Sequence, residues 1–158
     1  MKAVSNAGPL IHLTEIEALK ALEIFSEVTI PPEVDKETSK IKKTRVKVAQ
    51  LTGEAKNLAK LLIAEHKIDL GEAEAISLAV STGTKMFLTD DLAARETAKT
   101  QGLEPHGSLG ILTRALREGV ISKAETMEKV EALHRNSTLF ITKDLVNWIK
   151  REIEKFHK

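Results

Sequence analysis

The chain of 158 residues contains no cysteine, which excludes both a disulfide framework and a zinc site built on thiolates. Aromatic side chains make up only 3% of the sequence, and the apolar runs are too short to cross a bilayer, so no membrane partner is expected. Positive and negative charge nearly cancel, with 24 Lys and Arg against 23 Asp and Glu. Any affinity for nucleic acid must therefore come from local clusters of charge.

The sequence contains enough apolar material for one globular domain, since 42% of its residues are hydrophobic. The N-terminus lacks a charged segment followed by an apolar one, so we expect a cytoplasmic protein. Abundant Lys and Glu with few aromatics are also typical of a thermophile.

Short apolar runs alternate with amphipathic segments, which is the pattern of βαβ units. Strands are predicted at residues 1–5, 27–30, 85–89 and 103–106. Right-handed crossovers then favour a parallel sheet with the first strand at its centre and the third beside it. The predicted fold class is α/β, a three-layer α/β/α parallel sheet with a C-terminal helical extension.

Capping residues mark several predicted helix ends. Thr14 with Glu17, and Ser122 with Glu125, form capping boxes, so we expect helices to begin at both places. The pair of prolines at positions 31 and 32 can start a helix that runs to about residue 40. Two further amphipathic helices are predicted over residues 53–66 and 70–82.

The chain is predicted to divide into a main domain, residues 1–122, and a helical extension, residues 123–158. A short extended piece is expected at residues 139–142. The last helix, residues 144–156, has an apolar face that must pack against the main domain or another chain. That face consists of Leu145, Trp148, Ile149, Ile153 and Phe156.

Two acidic residues lie where helical periodicity predicts an apolar face. A rotation of about 100° per residue puts Glu72 on the packed side of its helix, whereas Glu74 falls on the polar side. Glu37 likewise lies between Val34 and Ile41. A carboxylate on a packed face is costly unless it reaches water at the edge, pairs with a lysine or binds a metal ion.

Asp90 and Asp91 directly follow the third predicted strand, which brings them to the same sheet edge as Asn6. One aspartate is expected to cap the next helix, and the other is then available to bind a cation. An oxygen-only cluster at this edge suits Mg²⁺ or Mn²⁺, which could activate water for attack on a phosphodiester. The predicted cluster consists of Glu37, Glu72, Asp91 and Asp90.

Five blocks of sequence share an order and spacing with a known family. They are Val4 to Ile11, Ile30 to Val34 with Glu37, Leu70 to Ile76, Leu88 to Asp91, and Gly107 to Leu112. Over residues 1–122 the chain resembles a PIN domain, and most closely the subfamily related to VapC toxins. The resemblance implies a Mg²⁺-dependent ribonuclease that is usually dimeric and often neutralised by a small antitoxin.

The resemblance also implies roles for individual residues. By position, the catalytic acids are Glu37, Glu72 and Asp91, with Glu74 and Asp90 as alternatives. The family has an aspartate where this chain has Asn6, which retains a carbonyl ligand but removes one negative charge. The implied function is therefore a VapC-like endoribonuclease, or an impaired homologue that binds RNA or protein.

The densest basic stretch of the sequence contains Lys42, Lys43 and Arg45. Contact with RNA phosphates is one interpretation, and a solvated lysine-rich loop is the other. The histidines show no metal-ligand spacing and are expected at surface or edge positions. They are His12, His66, His106, His134 and His157.

Overall fold

The computed structural model describes residues 1–156, and its centre is a sheet of five parallel strands. The strands are β1 (Lys2–Ser5), β2 (Glu27–Ile30), β3 (Val46–Val48), β4 (Met86–Leu88) and β5 (Glu104–His106). Their order across the sheet is β3-β2-β1-β4-β5. The central position of β1 and its pairing with the strand at residues 86–88 are as predicted.

Strand β3 was absent from the predicted set, in which residues 40–47 were a basic stretch without clear periodicity. It pairs with β2 over three residues, from Val46 opposite Val28 to Val48 opposite Ile30. Lys47 lies opposite Thr29 in this register, and its ammonium forms an ion pair with Glu27 of β2 at 3.1 Å. A strand of this length depends on its pairing with β2, because its own sequence is too short to show a clear periodic pattern.

Helices cover both faces of the sheet, which gives the predicted three-layer α/β/α architecture. They are α1 (Ala7–Glu15), a 3₁₀ helix (Leu19–Ile24), α2 (Pro32–Glu37), α3 (Gly53–Glu65), α4 (Leu70–Thr82), α5 (Leu92–Thr100), α6 (Ser108–Arg117), α7 (Lys123–Asn136) and α8 (Lys143–Glu154). Helices α3 and α4 pack against each other, and α4 contacts β1 and β4. Helices α1, α6 and α7 form a second packed group. No helix within residues 1–156 is long and apolar enough to span a membrane.

The capping box at Thr14 predicts a helix from there to about residue 25, but α1 already ends at Glu15 and residues 19–24 form a 3₁₀ helix. Asn6 caps α1, because its Oδ1 accepts a hydrogen bond from the Ala7 amide at 2.8 Å. Thr14 therefore lies in the last turn of α1, and its buried hydroxyl has no partner in the described residues. Burial of Leu10 and Leu13 on the same face fixes α1 in place and overrides the local capping pattern.

Helix α2 begins at Pro32 as expected but ends at Glu37 rather than near residue 40. The Thr38 hydroxyl donates to the Val34 carbonyl at 2.8 Å, and the Lys43 ammonium donates to the Thr38 carbonyl at 2.8 Å. The Val34 carbonyl also accepts from the Thr38 amide at 3.0 Å, whereas Lys43 satisfies the Thr38 carbonyl that a longer helix would have bonded with one of its amides.

The C-terminal part differs in two respects from its prediction. Residues 139–142 are not a strand, although Ile141 is buried. Helix α8 packs on α7 through a face centred on Val146 and Ile153, whereas the predicted face members Leu145 and Trp148 are 41% and 50% exposed. The other predicted members, Ile149, Ile153 and Phe156, do pack against the core. Residues 157 and 158 of the predicted extension, including His157, lie outside the described residues.

One hydrophobic core links the two helical groups to the sheet. Its fully buried members include Leu10 of α1, Phe87 of β4 and Ile76 of α4. Val130 of α7 and Val146 of α8 belong to the same cluster. The last two helices therefore share a continuous core with the sheet, whose carboxyl edge they leave open.

Candidate active site

The residues that directly follow strands β1, β4 and β5 come together at the carboxyl edge of the sheet. Ser5 of β1 pairs with Leu88 of β4, and the Asn6 amide continues the ladder by donating to the Leu88 carbonyl at 2.9 Å. On the other side, the Thr89 amide donates to the His106 carbonyl at 2.9 Å. The strand order reverses between β1 and β4, so this edge is the switch point at which α/β sheets bind ligands.

An acidic cleft of about 270 Å³ opens at this point. Its polar lining residues are Asn6, His12, Glu37, Asp69, Glu72, Asp90 and Asp91. Within the described residues, no lysine or arginine lines the cleft, so its carboxylates lack a cationic side chain among them. All the residues that the sequence predicts for the metal site are in this set.

Asn6 is buried, and both the oxygen and the nitrogen of its side-chain amide form hydrogen bonds. Its Oδ1 caps α1, and its Nδ2 donates to the Thr89 hydroxyl at 3.2 Å. The same hydroxyl accepts from the Asp91 amide at 3.2 Å. Thr89 therefore connects the first block of the sequence to the aspartate pair.

The two aspartates after β4 have different surroundings. Asp91 caps α5, since its Oδ2 accepts from the Ala94 amide at 2.8 Å, yet its carboxylate also lines the cleft. Asp90 accepts from both the amide and the hydroxyl of Ser108, at 2.6 and 2.5 Å, and contacts His12 Nδ1 at 2.7 Å. Of the pair, Asp91 is the helix cap, and Asp90 ties β4 to α6 and α1.

Glu72 lies half-buried at the start of α4 in a capping box with Asp69. Its Oε1 accepts from the Asp69 amide, and the Asp69 Oδ1 accepts from the Glu72 amide, both at 2.8 Å. Burial, together with the nearby carboxylates of Asp69 and Asp91, raises the pKa of Glu72 from 4.5 to about 7. The packed face predicted from the sequence differs from the observed one, since Ser77 is buried and Val80 is 38% exposed.

Glu37 approaches the same cleft from the end of α2. Partial burial and the carboxylates of Asp69 and Glu33 raise its pKa. Its Oε1 lies against Gly71, where a Cβ would overlap it, so glycine is required for this approach. Glu37 has no hydrogen bond or ion pair within the described residues, which leaves its carboxylate available to a ligand.

Other residues singled out by sequence have structural partners. Glu74 accepts a hydrogen bond from the Glu33 amide at 3.3 Å and so binds the first turn of α2. Lys43 is bound to the Thr38 carbonyl, and its ammonium lies 3.5 Å from Asp35. Lys42 and Arg45 are exposed. Of the three basic residues, Lys43 is therefore already engaged.

Sequence reasoning missed three residues around the acidic cluster: Asp69, His12 and Ser108. Asp69 carries a local signal, because an aspartate three residues before Glu72 is a capping-box pattern. His12 was expected at a surface or edge, but its side chain is only 14% exposed and contacts Asp90. No sequence signal links His12 or Ser108 to an aspartate so far along the chain.

The donor chemistry of the cleft fits a hard divalent cation. Its carboxylates and the Asn6 carbonyl are oxygen ligands, and no lysine or arginine in the described lining offsets their negative charge. Among residues 1–156, no three His, Asp or Glu side chains are already gathered as an ion-binding group. The pair that does meet is Glu72 and Asp91, and Glu37 has a side chain that no contact holds in place.

Comparison with known proteins bears on the same fold and site. Among curated proteins, none matches this chain. A family model described as DUF3368, PIN domain, matches residues 2–155 and thus nearly the whole chain, including α7 and α8. PIN domains are associated with nuclease activity and generally use divalent metal ions. The chain belongs to the PIN-domain family.

Proposed function

We propose that this protein is a Mg²⁺- or Mn²⁺-dependent endoribonuclease of the VapC-like kind. The observation that carries the proposal is the meeting of Glu72 and Asp91, two carboxylates without a cationic side chain in the cleft lining, at the switch point of the sheet. A cleft that holds unneutralised carboxylates favours a divalent cation. Membership of the PIN-domain family supports the same activity.

The proposed roles follow from the surroundings of each side chain. Glu72 and Asp91 would hold the metal ion, and Glu37 would reach it from the end of α2. Asn6 would contribute its carbonyl oxygen, and Asp90 would act as a further ligand or, through Ser108 and His12, as a support. A bound divalent ion would supply the water activation and charge stabilisation that phosphodiester hydrolysis requires.

Cleavage of labelled single-stranded and structured RNA in Mn²⁺ tests this proposal. The decisive variant is Asp91→Asn, because asparagine also caps a helix well, whereas Asp91→Ala removes both the charge and the cap of α5. We expect Asp91→Asn to lose cleavage and to keep its folding stability. Equal cleavage by the parent and Asp91→Asn, or none by the parent in Mn²⁺, would contradict the proposal.

A second candidate is a binding module that has lost nuclease activity, and the residue that favours it is Asn6. An amide in place of the family aspartate lowers the ligand charge of the cleft by one unit. Under this alternative, calorimetry finds no Mn²⁺ binding by the parent, and Asn6→Asp creates it. Micromolar Mn²⁺ binding by the parent excludes the alternative.

The proposal includes two protein partners, a second copy of this chain and a small antitoxin. What supports a protein contact is the apolar surface of α8, where Trp148 is 50% exposed beside a groove of about 430 Å³ that Leu116, Ile153 and Phe156 also line. Light scattering of the purified protein tests the homodimer, and a monomer at working concentration contradicts it. A small reading frame next to the gene would identify the antitoxin.

A further inference from the structure

A second groove, of about 280 Å³, adjoins the acidic cleft and shares Asp90 with it. Its walls come from the start of α6, the end of β5 and the loop between α7 and α8. The side chains relevant to binding are Arg95, His106 and Phe140. None of these was a candidate for RNA contact in the sequence analysis, and none has a role in the proposed metal site.

Phe140 stands at the mouth of this groove and is 88% exposed. The loop that carries it is held on both sides. Before it, the amide and hydroxyl of Thr138 donate to the Glu15 carboxylate at 2.8 and 2.9 Å. After it, Ile141 is buried and its carbonyl lies 3.0 Å from His134 Nδ1. An aromatic ring is thus presented to solvent on a fixed backbone, which lowers the entropic cost of stacking on a ligand.

Arg95 supplies the charge of the groove. Its side chain is partly buried, and it forms no hydrogen bond or ion pair within residues 1–156. A Cβ on Gly107 would lie 3.0 Å from one guanidinium nitrogen and 2.8 Å from Asp90 Oδ1, so the Asp90 carboxylate is nearby although the two side chains form no ion pair. A guanidinium that is partly desolvated and lacks a carboxylate partner favours a phosphate ligand.

The groove is less acidic than the neighbouring cleft, because three arginines lie near His106 alongside the carboxylates of Glu104 and Asp90. Burial and the nearby guanidinium groups of Arg114, Arg95 and Arg117 lower the pKa of His106, with Glu104 acting in the opposite direction. Arg114 also forms an ion pair with Glu118 at 2.7 Å. An RNA backbone that leaves the acidic cleft past Asp90 would therefore approach these arginine side chains, whose electrostatic potential favours its phosphates.

We propose that this groove is a nucleotide subsite for single-stranded RNA, in which a base stacks on Phe140 and the adjoining phosphate binds Arg95. The juxtaposition of a fixed, exposed aromatic ring with an unpaired guanidinium, next to the acidic cleft, is the combination that single-strand binding uses. The subsite rests on the proposed function, because it takes the acidic cleft as the place of the scissile phosphate. It would position the nucleotide next to the cleaved bond.

Fluorescence anisotropy of a labelled single-stranded RNA of about ten nucleotides, measured in EDTA, tests the subsite without cleavage. We expect Phe140→Ala to weaken binding roughly 5- to 100-fold, the loss of one base–aromatic stack, and Phe140→Trp to retain parental affinity. Phe140→Leu separates stacking from simple apolar contact and should behave like alanine. Leu61→Ala, at a 51% exposed position on α3, is the matched control and should bind like the parent.

The salt dependence of binding gives an independent readout for the phosphate contact. Arg95→Gln should reduce the slope of log affinity against log salt by about 0.7, the value for one phosphate on a single strand. The subsite is overturned if Phe140→Ala binds RNA as tightly as the parent and Arg95→Gln keeps the parental salt slope. It is also overturned if the parent does not bind RNA in EDTA. A groove that serves protein docking gives these same negative results.

The two proposals fail in distinguishable ways. Loss of the Phe140 and Arg95 effects with metal-dependent cleavage intact overturns the subsite alone. RNA binding that depends on Phe140 and Arg95, without cleavage in Mn²⁺, overturns the nuclease and leaves an RNA-binding groove. The DNA oligonucleotide of the same sequence shows whether the groove requires the ribose hydroxyls.

Discussion

The carboxylate of Glu72 faces that of Asp91 across the acidic cleft, and each is also part of a helix cap. Glu72 completes the capping box of α4, whereas Asp91 caps α5. The starts of these two helices thus fix the positions of the two charges. Hydrogen bonds to the backbone hold the two carboxylates close together, although they repel each other when both are ionised.

Glu72→Gln should stabilise the protein at about pH 8, since glutamine keeps the capping contact and removes the charge. The pKa of Glu72 is raised from 4.5 to about 7, so the parent loses stability as pH rises through that window. The penalty is absent below the lower value and complete above the upper one. After allowance for half exposure, we expect a gain of about 1 kcal/mol at high pH.

Urea unfolding of both proteins at about pH 4 and pH 8 measures this difference. Glu54→Gln, at an exposed position in the first turn of α3, is the control for loss of a helix-start carboxylate. A constant difference between parent and Glu72→Gln across the pH range would exclude the raised pKa as its cause.

Asn6→Asp should increase Mn²⁺ affinity by roughly tenfold, because it adds a carboxylate to the oxygen ligands of the cleft. Without metal, the same change should lower stability by about 1 kcal/mol through repulsion from the neighbouring carboxylates. Calorimetric titration and thermal unfolding with and without Mn²⁺ measure the two effects. Unchanged affinity would show that position 6 does not contact the ion.

Gly71→Ala should disturb the site while sparing the fold. A Cβ at Gly71 overlaps Glu37 Oε1, the end of a flexible and exposed side chain, which can turn away. Helix propensity favours alanine by about 1 kcal/mol, so we expect equal or higher thermal stability with weaker Mn²⁺ binding and slower cleavage.

The matched control for this change is Gly53→Ala, since Gly53 also lies in a first helical turn and an added Cβ there meets no atom within 4 Å. It should gain stability without any loss of metal binding. The same loss in both variants would argue against a role for the Glu37 approach.

Asp90→Asn should destabilise the protein by about 3 kcal/mol, whereas Asp91→Asn should change stability little. Asp90 accepts two hydrogen bonds from Ser108 and contacts His12, and an amide can replace only one of its oxygens as an acceptor. Asn preserves the cap that Asp91 provides. Denaturant unfolding of the two variants compares them directly, and similar stability would contradict the supporting role of Asp90.

The parts of the fold that sequence predicts are those with strong local patterns. Strands β1, β2 and β4 are short runs rich in apolar residues, and β5 was predicted from its place after the Gly102 helix end. The central place of β1 beside β4 follows from crossover handedness. Strand β3 was missed because three residues carry too little periodicity. The capping pattern at Thr14 was misleading because the packing of Leu10 and Leu13 sets the helix limits.

The site residues likewise divide into those that a local sequence pattern reveals and those that depend on contacts between distant parts of the chain. Glu37, Glu72 and Asp91 are recognisable as carboxylates at helix or strand ends, and all three line the cleft. The contact of His12 with Asp90 joins residues 78 positions apart, and so leaves no mark in the local sequence. Phe140 was overlooked because its exposure depends on a loop fixed by Glu15, at the far end of α1.

The hydroxyl of Thr89 accepts hydrogen bonds from both Asn6 and Asp91. A hydroxyl that accepts twice still has its own proton to offer, and rotation about one bond lets it donate to a carboxylate in place of the amide. Asparagine and aspartate at position 6 are therefore interchangeable without repacking. The charge at the centre of the site can therefore change by reversing the direction of one hydrogen bond, without a change in the surrounding architecture.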